Sequence, residues 1–145
     1  MHSKKGYWFE ITVKYERMLD DGSNKKVSEI YVAEAFSFSE AEKRIMNEVG
    51  KSVRGGIEVK KMAPASYKEV IFSDNASDEQ WFKAKVSFIT LDEKSGKEKR
   101  STVQYLLQAD TFDDAVTHIN DFMRSSGDFL TATVSETKIL DVYEK

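Results

Sequence analysis

Residues 8–15 read Trp8-Phe9-Glu10-Ile11-Thr12-Val13-Lys14-Tyr15, and residues 81–88 read Trp81-Phe82-Lys83-Ala84-Lys85-Val86-Ser87-Phe88. Both alternate. Phe9, Ile11, Val13 and Tyr15 point one way, as do Phe82, Ala84, Val86 and Phe88; the opposite faces carry Trp8, Glu10, Thr12 and Lys14, and Trp81, Lys83, Lys85 and Ser87. Strict period two over this length marks a strand with one buried face. The Trp-Phe pair recurs at 81 − 8 = 73. Tyr31, Ala35, Phe38, Ala41 and Ile45 recur 74 positions on (105 − 31 = 74) as Tyr105, Ala109, Phe112, Ala115 and Ile119, and Val70 recurs 72 on as Val142. An offset that drifts only across loops is the mark of a diverged duplication.

Each strand is followed by turn residues, Asp20-Asp21-Gly22-Ser23-Asn24 in one half and Glu93-Lys94-Ser95-Gly96 in the other. A return strand follows, about Val27 to Ala35 and about Val103 to Ala109, which predicts two long antiparallel hairpins. Ser37-Phe38-Ser39-Glu40 fits a capping box, and Thr111-Phe112-Asp113-Asp114 repeats it with a shorter acid. The helical stripes are Phe38, Ala41, Ile45 and Val49, and Phe112, Ala115, Ile119 and Phe122, with Gly50 and Gly127 placed as C-terminal stops. Each half closes on a shorter strand pair: 56–62 with 67–72 around Ala63-Pro64-Ala65, and 129–134 with 137–143.

The expected fold is therefore α+β, an internal duplication of a ββαββ unit with an antiparallel sheet and one helix per unit, related by a pseudo-twofold axis. The first unit is 1–72, the linker 73–79 and the second unit 80–145. A lobe of this size buries too little surface to stand alone, so the halves are expected to form one compact body.

The chain has 145 residues, 40% hydrophobic and 32% charged, which is the balance of a soluble globular protein. No cysteine is present, so disulfides and thiolate metal sites are excluded and a reducing cytoplasm fits. No apolar run approaches the length needed to span a bilayer, and residues 1–7 carry no apolar secretion core, so no membrane partner is expected. A net charge of −3 limits any attraction for nucleic acid to local basic patches.

Catalytic chemistry has no foothold. His2 and His118 are the only histidines. The first lies in a terminal segment expected to be mobile, and the second occupies the helix position of Arg44, a solvated site. Without clustered histidine or cysteine no metal centre is expected. Asp20, Asp21, Asp92 and Glu93 are turn formers, and Gly55-Gly56 lacks phosphate-loop spacing. The sequence therefore predicts no catalytic residues, no metal and no cofactor.

The tryptophans carry the functional expectation. Trp8 and Trp81 share the charged strand faces with Lys14, Lys83 and Lys85, while the hairpin tips add Lys25, Lys26, Lys99 and Arg100. An aromatic among lysines on an open sheet can stack a base while ammonium groups meet phosphate. These nine residues form the candidate site of a non-catalytic single-stranded nucleic-acid binder. The alternative is a protein-interaction or self-assembling module, a dimer or other homo-oligomer, with the same aromatics covered against the partner unit or at an interface.

The segment from Ala35-Phe36-Ser37-Phe38-Ser39-Glu40-Ala41 to Ile45, with Trp8-Phe9 and Tyr31 before it, resembles a domain-of-unknown-function family of gut anaerobes and their phages. The resemblance covers about half the chain. It implies a small intracellular protein, phage-encoded in some cases, and no transferable activity. From Gly56 to about Arg124 the expected element order also looks like the unit of Whirly, Pur-alpha and transcription-cofactor single-strand binders, a likeness of topology alone.

Overall fold

The structure is a computed structural model that describes residues 1–124 and 129–145. Among these the order is β1 (His2–Lys4), β2 (Trp8–Met18), β3 (Asn24–Glu34), α1 (Phe38–Glu48), β4 (Glu58–Ala65), β5 (Tyr67–Phe72), β6 (Gln80–Leu91), β7 (Glu98–Ala109), α2 (Phe112–Met123), β8 (Leu130–Glu136) and β9 (Ile139–Tyr143), with one turn of 3₁₀ helix at Gly50–Ser52. The class is mixed α+β. Gly127, read as a helix stop, lies outside the described residues.

The alternating stretches form the two long hairpins. β2 pairs with β3 from Trp8–Glu34 to Met18–Asn24, and β6 with β7 from Gln80–Ala109 to Leu91–Glu98. Gly22 and Gly96 take left-handed φ in the turns (85° and 68°), where a side chain would be strained.

The sheets are not purely antiparallel, and this corrects the sequence expectation. One has the order β1-β5-β7-β6-β8 and the other β4-β2-β3-β9. β5 lies parallel to β7, and β9 lies parallel to β3. The expected pairs β4–β5 and β8–β9 do not form. Only Ser66 separates β4 from β5, and a hairpin needs a loop of at least two residues to reverse. Strand β4 instead runs on through Pro64, which sits opposite Phe9 on a sheet edge where a missing N–H is tolerated.

The compact units therefore cut across the halves 1–72 and 80–145. One comprises residues 1–5 and 67–137, the other residues 6–66 and 138–145. Each holds a hairpin and helix from one half and a parallel strand from the other.

The registers of the two units match. The antiparallel pairing slips between Thr12 and Val13 against β4, and between Lys85 and Val86 against β8. The parallel pairing skips one residue between Ile139 and Asp141, and one between Tyr67 and Glu69.

In the unit holding β2, the apolar strand face and helix bury Phe9, Ile11, Val13, Tyr31, Ala33, Ala41, Ile45 and Val49. In the unit holding β6, Phe82, Ala84, Val86, Tyr105, Leu107, Ala115, Ile119 and Met123 do the same. The stripes differ from expectation at the first turn: Phe38 and Phe112 stay 50% and 44% exposed, while Met123 is fully buried and Phe122 only packs at the margin. Both N-caps form as read. Ser37 Oγ accepts the Glu40 N–H and Thr111 Oγ1 accepts the Asp114 N–H, each at 3.1 Å. Glu40 reaches back one residue further than a capping box requires and accepts the N–H of Phe36, the residue before the cap.

Candidate binding surfaces

The nine candidate residues scatter. Trp8 is 2% and Trp81 3% exposed. Neither indole presents a face to solvent, so the stacking platform expected on the open sheet is corrected: these rings are core. Trp8 Nε1 is buried without a hydrogen-bond partner among the described residues. Trp81 meets Phe72 edge-on at 5.5 Å, and its carbonyl accepts the Thr137 hydroxyl at 2.7 Å.

Lys83 is half-buried with its Nζ 5.9 Å from the Tyr67 ring centroid, whereas Lys85 is exposed. Arg100 pairs with Ile89 and Lys99 with Thr90, neighbouring positions whose side chains leave opposite sheet faces. Lys99 therefore points away from Arg100, whose register partner Ile89 shares the strand face of Lys83 and Lys85. Lys25, opposite Arg17, likewise points away from Lys26, opposite Glu16.

Lys14 and Lys26 do meet. Both line an open groove of about 670 Å³ at the hairpin end of the β4-β2-β3 sheet, together with Arg54, Tyr15, Met18 and Asn24. Two carboxylates, Glu16 and Glu58, also line it. They stand opposite Lys26 and Lys14 in strand register. Among the described residues none of the three cations forms an ion pair within 4 Å. The groove floor between Arg54 and Ile57 is Gly55-Gly56, both at left-handed φ (89° and 81°) with open space where a Cβ would be. Sequence reading missed Arg54. It stands alone in a loop, and only the return of that loop beside β2 and β3 gives it company.

The histidines are also corrected. His2 belongs to β1 and stacks on Phe72 at 4.8 Å. His118 is half-buried, not solvated: Nδ1 lies 3.2 Å from the Gln108 carbonyl and Nε2 4.0 Å from buried Asp78. Ser73 completes the cluster, but its hydroxyl donates to Asp78, not to the imidazole. A serine nucleophile needs a base at its own proton, so the trio fastens the 73–79 connector and does not form a triad. Among the described residues no group of three or more His, Asp or Glu is placed to hold a metal.

Burial moves the tyrosines. Desolvation, then the nearby carboxylate Asp141, pushes the Tyr143 phenol up to about 12. Tyr31, stacked on Tyr143 at 6.0 Å, is raised further by burial and then by Glu29. Glu40 is held below its ordinary value, first by its bond to the Lys145 side chain and then by the Phe36 N–H.

Among the described residues no helix is long and apolar enough to cross a membrane. No curated protein and no solved structure matches the chain. One family does, over residues 7–145, and its span takes in both hairpins, both helices and both parallel strands: the chain belongs to the domain of unknown function DUF4494.

Proposed function

We propose that the chain is a non-catalytic binding protein for single-stranded nucleic acid, and that the strand lies in the groove at the end of the β2–β3 hairpin, not on the tryptophans. The observation that carries this reading is the convergence of Lys14, Lys26 and Arg54 on one concavity, with no carboxylate of the described residues within ion-pair distance of them. Phosphates are drawn to unpaired cations, and an open groove can follow a flexible strand. Glu16, Glu58 and the overall charge of −3 keep the binding weak.

The test is a polarisation titration of a labelled single-stranded oligonucleotide at two salt concentrations. Three phosphate contacts give a slope of log K against log salt of about −2. Lys14→Gln should lower both affinity and slope, and Lys99→Gln should change neither. Affinity at background in low salt would end this reading.

The protein-interaction alternative has its own observation. Tyr7 and Phe36 are 69% and 74% exposed and lie 5.8 Å apart, beside half-exposed Phe38. Such a patch is a contact surface in many proteins. If it joins two copies, Phe36→Ala lowers the sedimentation coefficient and leaves oligonucleotide affinity unchanged.

The matched slips and skips of register support a diverged duplication as the origin of the two units. A cytoplasmic setting follows the cysteine-free composition.

A further inference from the structure

We propose that the groove takes one nucleotide unit, its phosphate at Arg54 over the Gly55–Gly56 turn and its base beside Tyr15. This rests on the nucleic-acid reading and deepens it by dividing the groove into a phosphate end and a base end.

The charges divide first. Lys14 and Lys26 each stand opposite a carboxylate in register, Glu58 and Glu16, which offsets part of their charge without an ion pair. Arg54 has no carboxylate opposite it in register, so its guanidinium is the least compensated of the three cations lining the groove. A planar guanidinium offers paired N–H groups that match phosphate oxygens. Next to it the backbone is bare: nothing lies within 4 Å of where a Cβ would stand on Gly55 or Gly56. A phosphate can approach that main chain as closely as its own oxygens allow.

The other end suits a ring. Tyr15, which leaves β2 on the face opposite Lys14 and Lys26, is half-buried, and its hydroxyl accepts a 3.2 Å hydrogen bond from Arg17 Nη2, which restrains the phenol. A base laid on such a ring gains about 1–3 kcal/mol in single-strand complexes. Asn24 and Glu16 supply donors and acceptors to base-edge groups. A volume of about 670 Å³ falls among those of small-ligand sites.

The unit could be a free nucleotide or a link of a strand. Calorimetric titration of the full chain with adenosine monophosphate, inorganic phosphate and a single-stranded oligonucleotide separates these. We expect the monophosphate to compete with the oligonucleotide and Arg54→Gln to weaken both about tenfold. Tyr15→Leu, checked for fold by circular dichroism, should weaken the monophosphate and leave inorganic phosphate unchanged. A monophosphate affinity within tenfold of the strand's assigns the site to free nucleotides, and a much tighter strand assigns it to nucleic acid. If the oligonucleotide binds, loses affinity with Lys14→Gln, but ignores both Arg54→Gln and the monophosphate, this inference fails while the function stands. If no ligand binds, both fail.

Discussion

Val142 lies opposite Val32 in a parallel ladder, so the last strand of the chain completes the sheet begun by the second and third. Val70 and Leu106 hold the same relation in the other sheet. Each half of the chain thus gives its terminal strand to the unit built on the other half's hairpin. Val70, Ile71 and Val142 are buried where they arrive, so withdrawing either strand would expose a sheet flank.

This exchange predicts how a cut chain behaves. A protease site placed between Asn75 and Ala76, followed by cleavage in native buffer, should yield two fragments that co-elute on gel filtration. Separation into two folded monomers would contradict the strand assignments.

The helix starts are testable singly. Ser37→Ala and Thr111→Ala each remove an acceptor for an otherwise unsatisfied helix N–H and should cost about 0.5–2 kcal/mol. Chemical denaturation measures it, and an unchanged midpoint would show that the cap contributes nothing.

The two stripe positions on α1 should behave differently. Ile45 is fully buried, so Ile45→Ala should cost about 2–5 kcal/mol. Phe38 keeps half its surface in water and rests edge-on against Phe9 at 5.1 Å, so Phe38→Ala should cost clearly less. Equal losses would mean that Phe38 is core after all.

That contrast also marks what sequence could and could not reveal. Period two in residues 8–15 and 81–88 reports an apolar face, and Ser37 and Thr111 report helix starts, because those signals are local. The destination of β5 is not local. Tyr67-Lys68-Glu69-Val70-Ile71-Phe72 looks the same beside β4 or beside β7, and Ala63-Pro64-Ala65, which reads as a hairpin turn, is in fact the end of β4. The tryptophans failed for a related reason. A strand face with lysines reads as solvated, yet Trp8 and Trp81 lie at strand starts while the exposed cations lie toward the tips. Lys14 and Lys26 were each legible as candidates, on a strand face and at a hairpin tip, but only the register brings them to one face; Arg54 was not, since a loop's return carries no periodicity.

Alkaline pH should loosen the β3–β9 side. The Tyr143 phenol is raised by burial, so the folded state holds its proton more tightly than the unfolded chain, whose phenols titrate near 10. Its stabilising contribution is complete below about pH 10 and is lost as pH rises toward about 12. Thermal midpoints measured between pH 8 and 11 should fall at the upper end, and less steeply in Tyr143→Phe. Identical slopes would show that the phenol stays solvated.

The central claim is a location. Amide chemical-shift mapping of the full chain with a single-stranded oligonucleotide at low salt tests it most directly. The account predicts perturbed amides at Lys14 to Met18, at Asn24 to Lys26 and at Arg54 to Glu58, with the Trp8 and Trp81 indole N–H signals unmoved. Perturbation centred on Lys83 to Leu91, or no perturbation at all, would contradict it.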